Sequence, residues 1–151
     1  HYDAILLASA GLHRLQRAGM DLLKNPQLIT FDLDPTRFVP APSQGALAVQ
    51  VNGTRSDVFA AVKSINDEAA YSAVACERAL QALIEGGCQL PFGAFCLQDG
   101  ETLTLHGYLK VEEEHVFAKA SGTNGQAVAN EVWNALKIWS GDAPWKAQPQ
   151  G

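Results

Sequence analysis

Several absences narrow the reading of this 151-residue chain before any motif is sought. It has only three cysteines, Cys76, Cys88 and Cys96, and no CxxC pair. An odd, scattered set excludes a disulfide scaffold and a zinc module, and fits a reducing cytoplasm. No run approaches the ~18 apolar residues of a membrane span. No basic leader opens the chain, since "HYDAILLASAGLHRL" soon turns amphipathic. A basic surplus is also missing: 11 Lys and Arg face 16 Asp and Glu, for a net charge of −5. A general nucleic-acid binder would carry the opposite sign. Repeats and low-complexity runs are absent. What remains is 47% hydrophobic and 18% charged, enough to close a core.

The opening run "DAILLA", residues 3–8, is almost continuously apolar. That pattern predicts a strand buried on both faces, which needs neighbours on both sides. Only His1 and Tyr2 precede it, with no initiator methionine, so the chain is expected to be the back part of a longer protein. Leu12, Leu15 and Gln16 then predict a short helix closing near Gly19, a strand–helix unit of α/β type. Pro35, Pro40 and Pro42 mark an extended connection, a plausible crossing between domains. "GALAVQV", residues 45–51, predicts another apolar strand.

Ser56 or Asp57 is expected to cap a helix with Val58, Val62 and Ile65 inward. A second helix starts near Asn66 or Asp67. Its apolar stripe of Ala69, Ala73, Cys76, Leu80 and Leu83 runs to Gly86 and Gly87. A meander follows: "PFGAFCLQ", a hairpin at Asp99-Gly100, then "ETLTLHGYL" with Leu103, Leu105 and Leu109 facing one way. "EEEH" forms a polar turn and "VFAKASG" a third strand. Thr123 and Gln126 form a capping-box pair for a last helix striped by Val128, Val132, Leu136 and Trp139.

Few residues invite chemistry. Cys76 and Cys96 fall on inward positions and read as packing, since free cysteine behaves as a small apolar residue. Cys88 lies on neither stripe nor strand. It is structural or a site, and its place after a helix C-terminus disfavours a thiolate, hence a low-pKa nucleophile. His13, His106 and His115 lack ligand spacing, so no metal is expected. His106 falls on the solvated face of its strand. Arg14 and Arg78 each sit on a helix among apolar residues, and either snorkel to water or meet an anion.

"YDAILLASAGLHRL", "VPAPSQGALAV", "CERAL" and "EGGCQLPFGA" occur in this order. Together they resemble the C-terminal half of the porphobilinogen deaminases (hydroxymethylbilane synthases), over nearly the whole chain apart from the tail. The resemblance implies a transferase of tetrapyrrole (heme) biosynthesis. Cys88 would carry a dipyrromethane cofactor by a thioether bond, with Arg78 and Gly87 beside it. Four porphobilinogen units would be added with loss of ammonia, each through an electrophilic methylene pyrrole, and hydroxymethylbilane released by hydrolysis. A thioether survives repeated turnover, and glycines let the primer swing as the chain lengthens.

Each pyrrole carries acetate and propionate, which arginines bind well. Arg14 would contact substrate carboxylates, and Gln44, Gly45 and Ala46 would line the cleft. The implied fold is α/β plus α+β. Residues 1–30 would end a second periplasmic-binding-protein-like α/β domain, and 31–66 would return to the first. Residues 67–151 would form a small C-terminal domain of three antiparallel strands and helices, carrying the cofactor cysteine.

Two departures stand out: Pro42-Ser43 where the family usually has glycine before the glutamine, and Phe92 where a smaller aliphatic is common. The family's catalytic aspartate and most of its basic residues belong to the front half, so no catalytic residue is expected here. The implied partners are porphobilinogen, the growing polypyrrole and the missing N-terminal half, with no nucleic acid or membrane. The competing reading is a non-enzymatic anion-binding module using Arg14 and Arg78. Cys88 among glycines discriminates against it, because a simple binder has no need of that thiol. A thiol-redox protein is a weaker third reading without a resolving cysteine.

Overall fold

The computed structural model describes residues 2–20, 24–84 and 90–139, the last two without their side chains. The chain divides into two units, residues 1–33 and 34–151.

The α-helix described in the first unit is α1 (Ser9–Arg17). Its end is a Schellman closure. Met20 N–H reaches the Leu15 carbonyl at 2.9 Å and Gly19 N–H that of Gln16 at 3.0 Å, with Gly19 at φ 86°. The strand expected over residues 3–8 is not formed. The segment lacks regular structure, and Ile5, Leu6 and Leu7 are exposed. An apolar run becomes a strand only where a neighbour accepts its ladder bonds, and the described part of this unit contains no strand to pair with.

The second unit contains α2 (Ser56–Lys63), α3 (Glu68–Leu83), β1 (Phe92–Asp99), β2 (Thr102–Val111), β3 (Glu114–Gly122) and α4 (Gly125–Trp139). The sheet is antiparallel in the order β1-β2-β3, and α3 and α4 cover one face. This is the expected small domain of a three-stranded meander and two helices, and it accompanies helices α1 and α2 in an α/β chain. Alternation works as anticipated: Leu103, Leu105 and Leu109 are buried against Cys76, Leu80, Val128, Val132 and Leu136. Gly107 is the close-approach point of this core. A Cβ there would lie 2.6 Å from Val132 Cγ1 and within 3.2 Å of Leu80 and Leu136.

Several local expectations need correction. Residues 45–51 form no strand and Leu47 is 90% exposed, because no described strand pairs with them. Neither Ser56 nor Asp57 caps α2. Its N-cap is Arg55, and Asp57 instead receives a two-pronged bond from that guanidinium at 2.9 and 2.7 Å. Among the described residues of its own unit, α2 packs against no other helix or strand, and Ile65 is exposed rather than inward. Asp67 does cap α3, accepting the Ala70 N–H at 3.0 Å.

The first hairpin turn is one residue later than expected. Asp99 pairs with Thr102, leaving Gly100-Glu101 as the loop, with φ 57° at Gly100. At α4 the cap is Asn124, whose side chain accepts the Ala127 N–H at 3.0 Å, in place of a Thr123–Gln126 box. Asn124 is one of the best capping residues and stands one position nearer the helix.

Candidate functional site

The site builds from the edge of β1. On the side away from β2, Ala94 and Cys96 present N–H groups that no strand receives. Ala94 donates to the Pro40 carbonyl at 2.9 Å. Cys96 donates to Glu77 Oε1 of α3 at 2.8 Å. The second oxygen of that carboxylate, Oε2, accepts the Ser43 N–H at 2.7 Å. Glu77 is the one buried charged residue among those described, 6% exposed, and both its oxygens are occupied. A buried carboxylate is tolerable when charge-assisted bonds replace its water. Here it also closes a sheet edge that would otherwise invite a foreign strand.

The proline-marked segment is thus fixed against α3 and β1. Gly93 permits the contact, since a Cβ there would meet the Val39 carbonyl oxygen at 2.6 Å. Ser43 takes the left-handed conformation at φ 62°, followed by Gly45 at φ 87°. Ser43 therefore occupies a backbone conformation that favours glycine. Gln44 Oε1 accepts the Ala41 N–H at 3.3 Å, tightening the turn.

Between this turn, α3 and β1 lies a cleft of about 230 Å³, lined among others by Gln44, Gly45, Ala73, Val74, Glu77 and Phe95. Gln44 and Gly45 are brought together there. Arg78, the next residue of α3, is exposed, and Arg14 is exposed on α1 of the other unit. Neither arginine belongs to an ion pair among the described residues, which leaves both guanidinium groups able to take an anion. Cys88 and Gly87 lie outside the described residues. Cys76 and Cys96 are buried free thiols. The neighbouring Cys76 thiol, and then burial, push the Cys96 thiol above its ordinary range, so it stays protonated. The Cys76 and Cys96 Sγ atoms lie within reach of the Gly125 and Leu97 carbonyls, at 3.5 and 3.7 Å respectively. No cluster of metal-ligating side chains occurs among the described residues.

Sequence reasoning missed Glu77, although a signal was present. Ala70, Ala73, Val74 and Glu77 recur at helical spacing, and that narrow face of small residues leaves the room the turn occupies. It also placed His106 in solvent, whereas His106 is half-buried beside a smaller cleft that Thr36 and Val39 help to line.

Comparison with known proteins decides the family. Residues 1–60 match the family model described as porphobilinogen deaminase, dipyromethane cofactor binding domain. Residues 71–135, which include Cys88, match porphobilinogen deaminase, C-terminal domain. The chain belongs to the porphobilinogen deaminase family.

Among curated relatives, the porphobilinogen deaminase of Roseiflexus castenholzii is 36% identical over 141 residues, covering 89% of this chain and 44% of the relative. That of Bacillus cereus is 37% identical over 138 residues, with 89% and 42% covered. That of Neisseria meningitidis serogroup A is 34% identical over 135 residues, with 89% and 41% covered. The chain therefore spans less than half the length of these relatives. No described helix is long and apolar enough to cross a membrane.

Proposed function

We propose that this chain is the C-terminal part of a porphobilinogen deaminase, a transferase that condenses four porphobilinogen units into hydroxymethylbilane. The observation that carries the reading is the match to both family models in order, along 1–60 and 71–135. In this reading Cys88 anchors the dipyrromethane by a thioether. The bound group supplies a fixed primer with a free pyrrole α-position. Arg78, solvent-facing and without an ion pair among the described residues, fits carboxylates of that primer. Arg14 takes substrate carboxylates, and Gln44 with Gly45 lines the path on a turn that Glu77 holds in place. The protein acts in the cytoplasm.

The domain assignment belongs to the same proposal. Residues 1–30 close a second periplasmic-binding-protein-like α/β domain, 31–66 return to the first, and 67–151 form the C-terminal domain. Support comes from the bare apolar side chains of residues 5–7, 47 and 49, and from α2, which packs against no other element among the described residues of its unit. The catalytic carboxylate and the strand partners then come from the N-terminal half of the protein.

Intact mass of the full-length polypeptide carrying this sequence tests the proposal. A stable addition of two porphobilinogen-derived pyrroles is expected, mapped to Cys88 and abolished by Cys88→Ser. An addition that survives Cys88→Ser, or maps to Cys96, overturns the assignment of the anchor.

A further inference from the structure

The face of the sheet opposite α3 and α4 carries an unusual ladder between β2 and β3. His106 stands across from Lys119, Tyr108 from Phe117, and Lys110 from His115. Tyr108 Oη lies 3.0 Å from His115 Nδ1, and its ring centroid is 5.1 Å from that of Phe117. Every position of this run is cationic, imidazole or aromatic, in a chain whose net charge is −5.

At the His106–Lys119 end the ladder opens into a cleft of about 160 Å³, closed on one side by Thr36 and Val39. The acidic groups near the face are already engaged. Glu113 pairs with Lys110 at 3.5 Å, and the Asp34 carboxylate accepts both the N–H and the hydroxyl of Thr36 at 2.8 Å. Lys119 has no ion pair among the described residues.

We propose that this cleft is a binding site for a planar aromatic carboxylate, its ring against Phe117 and its carboxylate on Lys119 and His106. An aromatic wall beside a free ammonium matches a flat ring bearing one negative charge. Phe117 is 56% exposed, so the ring face is open to a ligand. Electrostatics agree. Burial first, and then the Lys119 charge, hold the His106 pKa below its ordinary value, against a weaker pull from Asp34, itself near Arg37. A bound carboxylate would offset the Lys119 charge and pair with the imidazolium, raising it. None of these residues belongs to the Cys88–Arg78 or Gln44–Gly45 groups, so the site stands independently of the function proposed above.

The test follows the His106 ring protons of the full-length polypeptide carrying this sequence by NMR, titrating pH at rising pyrrole-2-carboxylate. A saturable rise of the His106 pKa is expected, with ring-current shifts at Phe117. Lys119→Ala should weaken the response roughly tenfold or more, and Phe117→Ala should do so with the histidine's surroundings otherwise intact. Lys119 and Phe117 are exposed, so the free-state spectra of both variants should stay native-like. An equal response to sodium chloride at matched ionic strength overturns the proposal. So does an unchanged response in Lys119→Ala, and equal binding of cyclohexanecarboxylate overturns the planar specificity.

Discussion

Glu77 holds Ser43 across 34 residues of sequence, its Oε2 accepting the serine N–H at 2.7 Å while Oε1 accepts that of Cys96 at 2.8 Å. One carboxylate therefore fixes a turn to a helix and closes a strand edge. Glu77→Gln keeps the shape but turns an NH₂ toward one of the two N–H donors. Hydrogen bonds to a charged group contribute about 1.5–3 kcal/mol, and one such bond is lost outright. Urea unfolding should show a loss of about 2–3 kcal/mol, with faster amide exchange at Ser43 or Cys96. Unchanged stability and exchange would show that the buried charge is idle.

Ser43 at φ 62° makes a second prediction. A left-handed conformation costs a residue with a Cβ roughly 1–2 kcal/mol, whereas glycine costs roughly 0.5–1 kcal/mol in lost chain entropy. The first effect wins by a small margin. Ser43→Gly should raise stability by up to about 1 kcal/mol, and Ser43→Val should lower it. Thermal unfolding checks both, and a stabilised valine variant would contradict the assigned backbone.

The small domain was legible because its signals are local. Leu103, Leu105 and Leu109 alternate, Val128, Val132 and Leu136 recur at helical spacing, and Asp67 caps its own helix. Caps and turns slipped by one residue, as at Asn124 and Gly100, where two adjacent residues could each serve. Residues 3–8 and 45–51 read as strands because apolar runs record what a segment should bury, not whether its neighbours are present. Glu77 was invisible for a different reason. Its partners are backbone N–H groups distant in sequence, which no side-chain motif encodes. The candidate site divides the same way: the "EGGC" block pointed to Cys88 by resemblance, while the turn that holds Gln44 emerged only from three-dimensional contacts.

Arg14 and Arg78 are exposed and in no ion pair among the described residues, so removing either should cost the fold little. Exposed sites away from caps and networks usually change stability by within about 0.5 kcal/mol. In the full-length enzyme, Arg→Leu at each position should instead stall chain elongation. Loss of a contact to a charged group, about 1.5–3 kcal/mol, corresponds to a roughly tenfold or larger fall in rate. Single-turnover assays with porphobilinogen measure it. Near-normal elongation in both variants would mean that the arginines only extend into water.

The 151-residue chain by itself should fold its small domain and make no hydroxymethylbilane. Residues 92–139 close a core with α3, but Leu47, Val49 and Phe59 remain exposed and α2 rests on no other element among the described residues of its unit. Such apolar surface drives association until a matching sheet covers it. In the proposed reading the carboxylate that stabilises cationic pyrroles belongs to the N-terminal half, since both oxygens of Glu77 are already taken, and preorganised charge is commonly a large part of catalysis. Assays with porphobilinogen should find no tetrapyrrole from the isolated chain. Adding the separately produced N-terminal half should restore product and shift the chain from self-associated species to a defined complex in sedimentation. Product from the isolated chain would remove the need for an external carboxylate. A well-behaved monomer with no affinity for the N-terminal half would remove the need for strand partners.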